Sequence, residues 1–309
     1  MRCSLCKKDK AVIKYRHSNM YLCADCFKKV FEKKALVVLK RAGVLRGSGK
    51  LIVVAVSGGK DSLNTLYVLH KYSEIYDYDV IALLINEGIS GYREYTIKGM
   101  ISLCNKYKIE YKIVSMENEI GFTVDFATEL YKKRKIRWKP CTVCGVFRRY
   151  LLNKHAREMG ADFLATGHNL DDEAQTILLN IFQDSLYRVI QADYISREIV
   201  PKMVPRIKPL YYIYEKESVV YALLNKIPAW HIECPHAQYG MRADIRRFLN
   251  KLEDLKPGTK INLLLSREKI IQKTKLLKMP MKYCEICGEP STHEICRACQ
   301  IRNVINKFL

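Results

Sequence analysis

The chain has 309 residues, 49% of them hydrophobic, and a formal net charge of +21. That is enough for one full-sized core with small additions. It contains no run of about 18 apolar residues, which excludes an ordinary membrane-spanning helix; the opening MRCSLCKKDK lacks the apolar stretch of a secretory signal, so the cytoplasm is the expected location. Residues 1–30 are framed by Cys3, Cys6, Cys23 and Cys26 and are too short for a core of their own. FEKKALVVLKRAGVLR (31–46) is amphipathic and predicts a helix, so that residues 31–49 link the knuckle to a main domain. LIVVAV (51–56) predicts a buried strand, SLNTLYVLHKY a helix, DVIALLI (79–85) a second strand, EYTIKGMISLCNKY a helix and IEYKIVSM (109–116) a third strand. VDFATELYKKRKI reads as helical; a long helix, GVFRRYLLNKHAREMG, follows a C-x2-C pair, and then come the strand ADFLATG (161–167) and the helix DDEAQTILLNIFQ. From about residue 200, with Pro201, Pro205, Pro209, Pro228 and Pro235, the pattern is irregular, with helical pieces at 214–226 and 241–255. A basic tail then leads to a second knuckle, Cys284, Cys287, Cys296 and Cys299. This alternation predicts an α/β fold, a parallel sheet wrapped by helices. The expected domains are 1–30, 31–265 and 266–309.

The charge is uneven. Residues 1–50 carry 14 Lys and Arg against 3 acids, and residues 256–309 carry 11 against 4. An excess gathered in the two termini fits a polyanionic partner, nucleic acid first. YKKRKIRWKP (131–140) adds cations interleaved with aromatics, a pattern suited to RNA phosphates and to stacking on Trp138, and equally to a solvated helix end.

Eleven of the 12 cysteines form three groups. Two are C-x2-C…C-x2-C frames, in which thiolates from paired tight turns can surround one tetrahedral zinc ion each; four cysteines suffice at each site without His17 or His293. The third is Cys141, Cys144 and the distant Cys234. Soft thiolates suit an iron–sulfur cluster or zinc, and two of these cysteines could instead run persulfide or disulfide chemistry. Cys104, alone in a helical stretch, reads as a buried structural thiol.

VVAVSGGKDSLNTL (53–66) sends a buried strand into a glycine turn and a helix, outside the G-x4-G-K-[ST] pattern. Gly58 and Gly59 would let backbone N–H groups face an anion, with the helix N-terminus behind them. Ser57 and Ser62 offer hydroxyls, Lys60 a positive charge, and Asp61 a carboxylate for magnesium against phosphates. TGHNLDDEAQT, with Gly167, Asp171 and Asp172, lies at another strand–helix junction, where ligands of parallel sheets bind and where both aspartates also suit helix capping.

After its hydrophobic strand, SGGKDS resembles the PP-loop of the N-type ATP pyrophosphatases, enzymes of adenine nucleotide alpha hydrolase-like fold that cleave ATP between the α- and β-phosphates and adenylate a substrate oxygen. With INEGISGYR (85–93), PCTVCGVFRRYLLN (140–153), ATGHNLDDEAQT (165–176), PRIKPL (205–210), YEKE (214–217), ECPHA (233–237) and the two terminal knuckles, the chain resembles the tRNA 2-thiouridine synthetases nearly end to end. The resemblance implies an α/β PP-loop domain flanked by zinc ribbons. It also implies a 4Fe–4S cluster on Cys141, Cys144 and Cys234, ATP and magnesium on Ser57–Ser62, and Ala55 and Ile85 around the adenosine, although Ile85 equally suits the core. Asp172 would stand near the reacting uridine or magnesium. Arg148 replaces a lysine of some relatives; arginine can stabilise phosphate but is a poor base. The implied activity is AMP-forming tRNA uridine 2-thiolation, with the wobble uridine favoured over the T-loop uridine. Sulfur would come from a ubiquitin-like thiocarboxylate protein or free sulfide, and the expected assembly is a homodimer. A cluster-free PP-loop ligase acting on tRNA, or a zinc-ribbon RNA-binding protein without catalysis, are the alternatives.

Overall fold

The computed structural model describes residues 1–191, 193–195, 200–230, 232–236, 241–273 and 281–309; the side chains of His17 and Gln191, residue 237 of the ECPHA stretch, and the tail segment 274–280 lie outside the described residues. Five parallel strands form the central sheet in the order β5-β4-β3-β6-β7: Lys50–Ala55 (β3), Tyr78–Asn86 (β4), Glu110–Ser115 (β5), Phe163–Thr166 (β6) and Arg206–Ile207 (β7). Two short strands, Ile13–Tyr15 (β1) and Met20–Leu22 (β2), precede it as a hairpin in the first knuckle. β3, β4 and β6 are apolar runs buried on both faces, as parallel strands between helix layers must be. The order reverses between β3 and β6, so the chain leaves these neighbours in opposite directions and a crevice opens beyond their carboxyl ends. The loops 56–59 and 167–169 stand at that crevice.

The helix expected at 31–46 begins earlier, as Ala24–Arg41 (α1), with Cys23 as its N-cap and Cys26 in its first turn. Phe27 and Phe31 anchor it; the Phe31 ring stacks on Tyr221 at 3.9 Å and 9°. Glu32, 2% exposed, accepts from Lys71 Nζ, Tyr72 Oη and Tyr221 Oη, each at 2.7 Å. The knuckle borrows its core: Cys3, Tyr15, Leu22 and Cys23 pack with Val68, Leu210, Ile213 and Tyr221 of the main domain.

The sheet is covered by Lys60–Tyr76 (α2), Arg93–Tyr107 (α3), Met116–Ile120 (α4), Val124–Lys132 (α5), Pro140–Glu158 (α6) and Leu170–Phe182 (α7). Leu186–Gln191 (α8), Glu215–Leu224 (α9), Arg242–Leu255 (α10) and Thr259–Lys273 (α11) complete the main domain. Cys104 is buried in α3, as its helical setting suggested.

Three expectations are corrected. The C-x2-C pair does not precede α6 but lies in its first turn, because Pro140 takes the first helical position, where a missing N–H costs nothing. The basic tail opens with α11, and the boundary expected at 265/266 falls inside that helix. α11 hides its periodicity by burying Lys260 against Asp171 and Arg267 against Tyr211 and two carbonyls of α8. The second knuckle, with Lys282–Tyr283 (β8), Pro290–Ser291 (β9) and Arg297–Ile305 (α12), is no loose appendage: Cys284, Cys296, Cys299, Ile301 and Ile305 share one core with Val143, Phe147 and Leu151 of α6. Among the described residues no helix is long and apolar enough to cross a membrane.

Candidate active site

A cavity of about 500 Å³ occupies the crevice. Ala55, Ser57, Gly59, Asp61, Ser62, Ile85, Gly167 and Asp172 line it, so eight residues singled out for nucleotide binding meet in one space. Gly58 and Lys60 do not line it. Gly58 adopts φ +81°, and a side chain there would meet the Thr96 carbonyl of α3 at 2.4 Å, so only glycine closes the turn. At Gly167 a Cβ would stand 2.6 Å from the Ser62 nitrogen; its absence lets the end of β6 reach the loop. Ile85 is both core and wall, being 2% exposed and lining the cavity.

The loop is held by its own hydroxyls. Ser62 Oγ accepts from the Ser57 N–H at 3.1 Å and donates to the Gly59 carbonyl at 2.9 Å. Lys60 Nζ lies 3.0 Å from Asp61 Oδ2 and 3.2 Å from Glu215 Oε1. Burial opposes its charge, but these two carboxylates outweigh burial and raise its pKa. Asp61 Oδ1 is buried without a hydrogen-bond partner. A carboxylate oxygen in that state costs about 1–3 kcal/mol or more, and beside the glycine turn it has the chemistry to hold a divalent cation.

Asp171 and Asp172 part company. Asp171 is buried, paired with Lys260, and accepts the Glu215 N–H at 2.7 Å, a structural role. Asp172 closes a capping box with Asn169, taking the Asn169 N–H on Oδ2 at 3.3 Å, while Oδ1 lies 3.9 Å from Arg242. Burial pushes its pKa up to about 6 against the pull of Arg242, and the Asp61 charge adds to the rise. His168 meets Thr166 Oγ1 through Nδ1 at 2.9 Å; burial and the cations Lys208, Arg242, Arg148 and Arg206 push its pKa down to about 3, so it is neutral.

The third cysteine group gathers at one edge of this cavity. Cys141 Sγ donates to the His236 carbonyl at 3.2 Å, and His236 Nε2 is fixed to Asp125 of α5 at 2.8 Å. These contacts bring the segment bearing Cys234 to the start of α6. Cys234 is thereby a neighbour of Cys141, Cys144 and Arg148. Burial raises the Cys141 pKa and lifts that of Cys144 to about 11, which favours the thiol form of both. None of the three lines the cavity itself; Arg148 and Arg93 form the wall between.

That wall contains residues to which the motifs assigned no role. Glu87, fully buried, pairs with Arg93, lies 3.6 Å from Arg148, and faces Cys144 Sγ at 4.0 Å. Arg93 Nη1 donates to the Ser57 carbonyl at 2.7 Å. One buried ion pair thus ties the phosphate turn to the cysteine site. Both residues lie in the quoted INEGISGYR stretch, whose unusual charges among apolar neighbours were the available signal.

The two knuckles differ from the trio in metric. Four thiolates about 2.3 Å from one tetrahedral zinc stand about 3.8 Å apart; Cys6 and Cys23 Sγ are 3.8 Å apart, and Cys287 and Cys296 Sγ 3.7 Å. Each foursome lies within 4.8 Å, and His293 is not part of the second. Burial opposes the Cys3 thiolate, but N–H donors of Cys23, Cys6 and Leu5 outweigh it and lower its pKa to about 6; Cys284 likewise falls to about 6. Cys141, Cys144 and Cys234 do not all lie within that 4.8 Å span.

Known proteins resemble this chain over nearly its whole length. The PP-loop domain family matches residues 28–253, and the N-terminal LIM domain of the 2-thiouridine synthetase TtuA matches residues 2–28. The chain is 39% identical over 287 residues to a probable sulfurtransferase of Methanocaldococcus jannaschii, covering 92% of this chain and 82% of the relative. It is 36% identical over 308 residues to the tRNA-5-methyluridine(54) 2-sulfurtransferase of Pyrococcus horikoshii, covering 97% and 93%. The solved structure of the U34-tRNA thiolase NcsA from Methanococcus maripaludis with its 4Fe–4S cluster matches with a TM-score of 0.84 at 31% identity, over 97% of this chain and 95% of that one. The chain therefore belongs to the PP-loop family of tRNA 2-thiolation sulfurtransferases.

Proposed function

We propose that this protein replaces the C2 oxygen of a tRNA uridine by sulfur in two steps, adenylation and displacement. The observation that carries the reading is the shared wall: Arg148 lines the PP-loop cavity and lies 3.6 Å from Glu87, which faces Cys144, while the Arg93–Glu87 pair joins Ser57 to Cys144. A phosphate site and a thiol site so connected can act in turn on one base.

The N–H groups of the glycine turn and the α2 N-terminus hold the ATP phosphates. Asp61 would hold magnesium through its vacant oxygen, and Lys60 steadies Asp61 from the other side. The uridine O2 attacks the α-phosphorus, pyrophosphate leaves, and Asp172 accepts the N3 proton that the base must lose. Arg148 offsets negative charge on the phosphoryl oxygens. The adenylated C2 then takes the electron pair of a sulfide; AMP departs with the former carbonyl oxygen, and N3 regains its proton. Without adenylation that oxygen is a very poor leaving group. Cys141, Cys144 and Cys234 would ligate the 4Fe–4S cluster, which when bound supplies an open iron able to hold sulfide. The two knuckles would each take zinc and, at the basic termini, clamp tRNA. In this reading the two terminal cysteine knuckles are zinc-ribbon domains around a PP-loop catalytic domain, the enzyme works as a cytoplasmic homodimer, and a ubiquitin-like thiocarboxylate protein or free sulfide renews the sulfur.

We take the wobble uridine as the target, supported by the U34 thiolase that matches nearly the whole chain; the Pyrococcus relative supports position 54. Anaerobic incubation of the reconstituted protein with unmodified tRNA, ATP, magnesium and sulfide is expected to yield 2-thiouridine at position 34 with one AMP per thiolated base. Nucleoside mass spectrometry of mapped fragments reads the result. Thiolation at 54 corrects the position; ATP cleavage without thiolation of any uridine overturns the reading. A raised Asp172 pKa means that the carboxylate appears only as pH climbs through about 6. kcat/KM, which reports free-enzyme groups, should therefore rise up to that pH and flatten above it.

A further inference from the structure

We propose that a cleft between residues 131–138 and the C-terminal ribbon binds an unpaired stretch of the substrate tRNA beside the target uridine, an inference that rests on the tRNA-thiolation reading. A base stacks at Trp138, and phosphates meet the cations around it. The cleft measures about 820 Å³; Lys132, Arg134, Lys135, Arg137 and Trp138 line it, with Val304 of α12 from the ribbon. It shares no lining residue with the nucleotide cavity.

The segment is an anchored surface, not a frayed helix end. α5 stops at Lys132. The Lys135 N–H then bonds to the Leu130 carbonyl at 2.9 Å and the Arg134 N–H to the Tyr131 carbonyl at 3.0 Å, with Arg134 at φ +54°, which closes the helix in a left-handed turn. Ile136, 5% exposed, enters the core that α6 shares with α12, and the half-buried Trp138 packs against the same core. Between and beside these anchors Lys135, Arg137 and Lys139 stay exposed. The Arg137 guanidinium lies over the Trp138 ring at 5.2 Å, so a cation and an aromatic plane face the cleft together.

The charge of this wall calls for a polyanion. Six cations and no acid stand between Tyr131 and Pro140. Among the described residues none of the six has an ion-pair partner. Cations further along α6 are paired, Lys154 with Glu119 at 2.7 Å and Arg157 with Glu289. The facing terminus, 297–309, adds Arg297, Arg302 and Lys307 and no Asp or Glu. Stacking planes set among cations suit RNA whose base faces are free; a duplex hides those faces. Trp138 precedes Cys141 by three residues, so their backbones lie within about 11 Å. A strand seated in the cleft thus brings its neighbouring nucleotides to the cysteine site.

The chain has two tryptophans, Trp138 and Trp230, and Trp230 is exposed, so Trp230→Phe leaves Trp138 as the sole fluorescent reporter. Its emission should be quenched by unmodified tRNA transcript and by a single-stranded oligoribonucleotide, and left unchanged by an RNA duplex of the same length. Filter binding of the transcript without ATP, across a salt series, gives the second readout. Trp138→Ala should weaken binding about tenfold, and Trp138→Phe should keep most of the affinity. Lys135→Ala, at an exposed position, should lower the slope of log K against log salt by about 0.7, the single-strand value for one phosphate contact. KM for ATP in pyrophosphate release should be the same in all of these variants. Wild-type affinity and salt slope in both alanine variants would overturn the proposal, as would equal quenching by the duplex. Thiolation lost only when a protein thiocarboxylate supplies the sulfur, with tRNA affinity and sulfide-driven thiolation intact, would assign the cleft to a protein partner and overturn it too. Because tRNA binding is read without chemistry, failure of the thiolation reading shows separately, as wild-type protein that binds tRNA and makes no thiouridine.

Discussion

Asp61→Asn is expected to slow pyrophosphate release from ATP by about 10³-fold while leaving tRNA affinity within about twofold of wild type, the scale on which removal of one preorganised charge from a phosphoryl or oxyanion site acts. The side chain has the same size and keeps a partner for Lys60, so the loop retains its shape. What changes is the buried oxygen that has no hydrogen-bond partner. In the carboxylate it would be a hard anionic ligand for magnesium, and in the amide a weaker one. Thiolation should fall with pyrophosphate release, since the second step has no substrate without the first. Filter-binding and pyrophosphate assays on the same preparation check both halves. Pyrophosphate release at the wild-type rate would remove Asp61 from the metal site.

Cys141→Ala is expected to split the reaction the other way. Cys141 is exposed at the start of α6, and its thiol donates to the His236 carbonyl, so its loss leaves packing nearly untouched. Anaerobically reconstituted wild type should be brown, with broad absorbance near about 400 nm from thiolate-bound iron and sulfide, and the variant colourless. Thiolation should drop at least about 100-fold, since even outer partners of metal ligands are worth 10–100-fold. tRNA-dependent pyrophosphate release should persist, because the glycine turn, Asp61 and Asp172 are unchanged. A variant that keeps the brown absorbance would strike Cys141 from the ligands. One that loses adenylation together with colour would mean that the cysteine site shapes the ATP pocket, through the Glu87–Arg93 link.

Parts of this architecture were legible in the sequence for physical reasons. β3, β4 and β6 are parallel strands buried on both faces, so they read as unbroken apolar runs, and the glycine turn follows the first of them. The cysteine frames are visible because metal ligation demands short spacings. β7 was hidden because it is a two-residue edge strand that includes Arg206. α11 was hidden because its buried positions include Lys260 and Arg267, whose partners lie far away in the chain. The same holds for Glu87 and Arg93: a buried ion pair leaves no periodic trace, and its tie to the Ser57 carbonyl exists only after β4 and α3 fold beside β3. The docking of the second knuckle onto α6 was also beyond reach, since local spacing says how four thiols meet and nothing about what their outer face covers.

The central claim is that the uridine oxygen itself becomes bound to the α-phosphorus of ATP. A tRNA carrying ¹⁸O at O2 of the target uridine tests it directly. After one anaerobic turnover with unlabelled ATP and sulfide, mass spectrometry should find the heavy oxygen in AMP, one atom for each 2-thiouridine formed. Unlabelled AMP beside thiolated tRNA would contradict the claim, for the oxygen would then have left by a route that never passed through an adenylate.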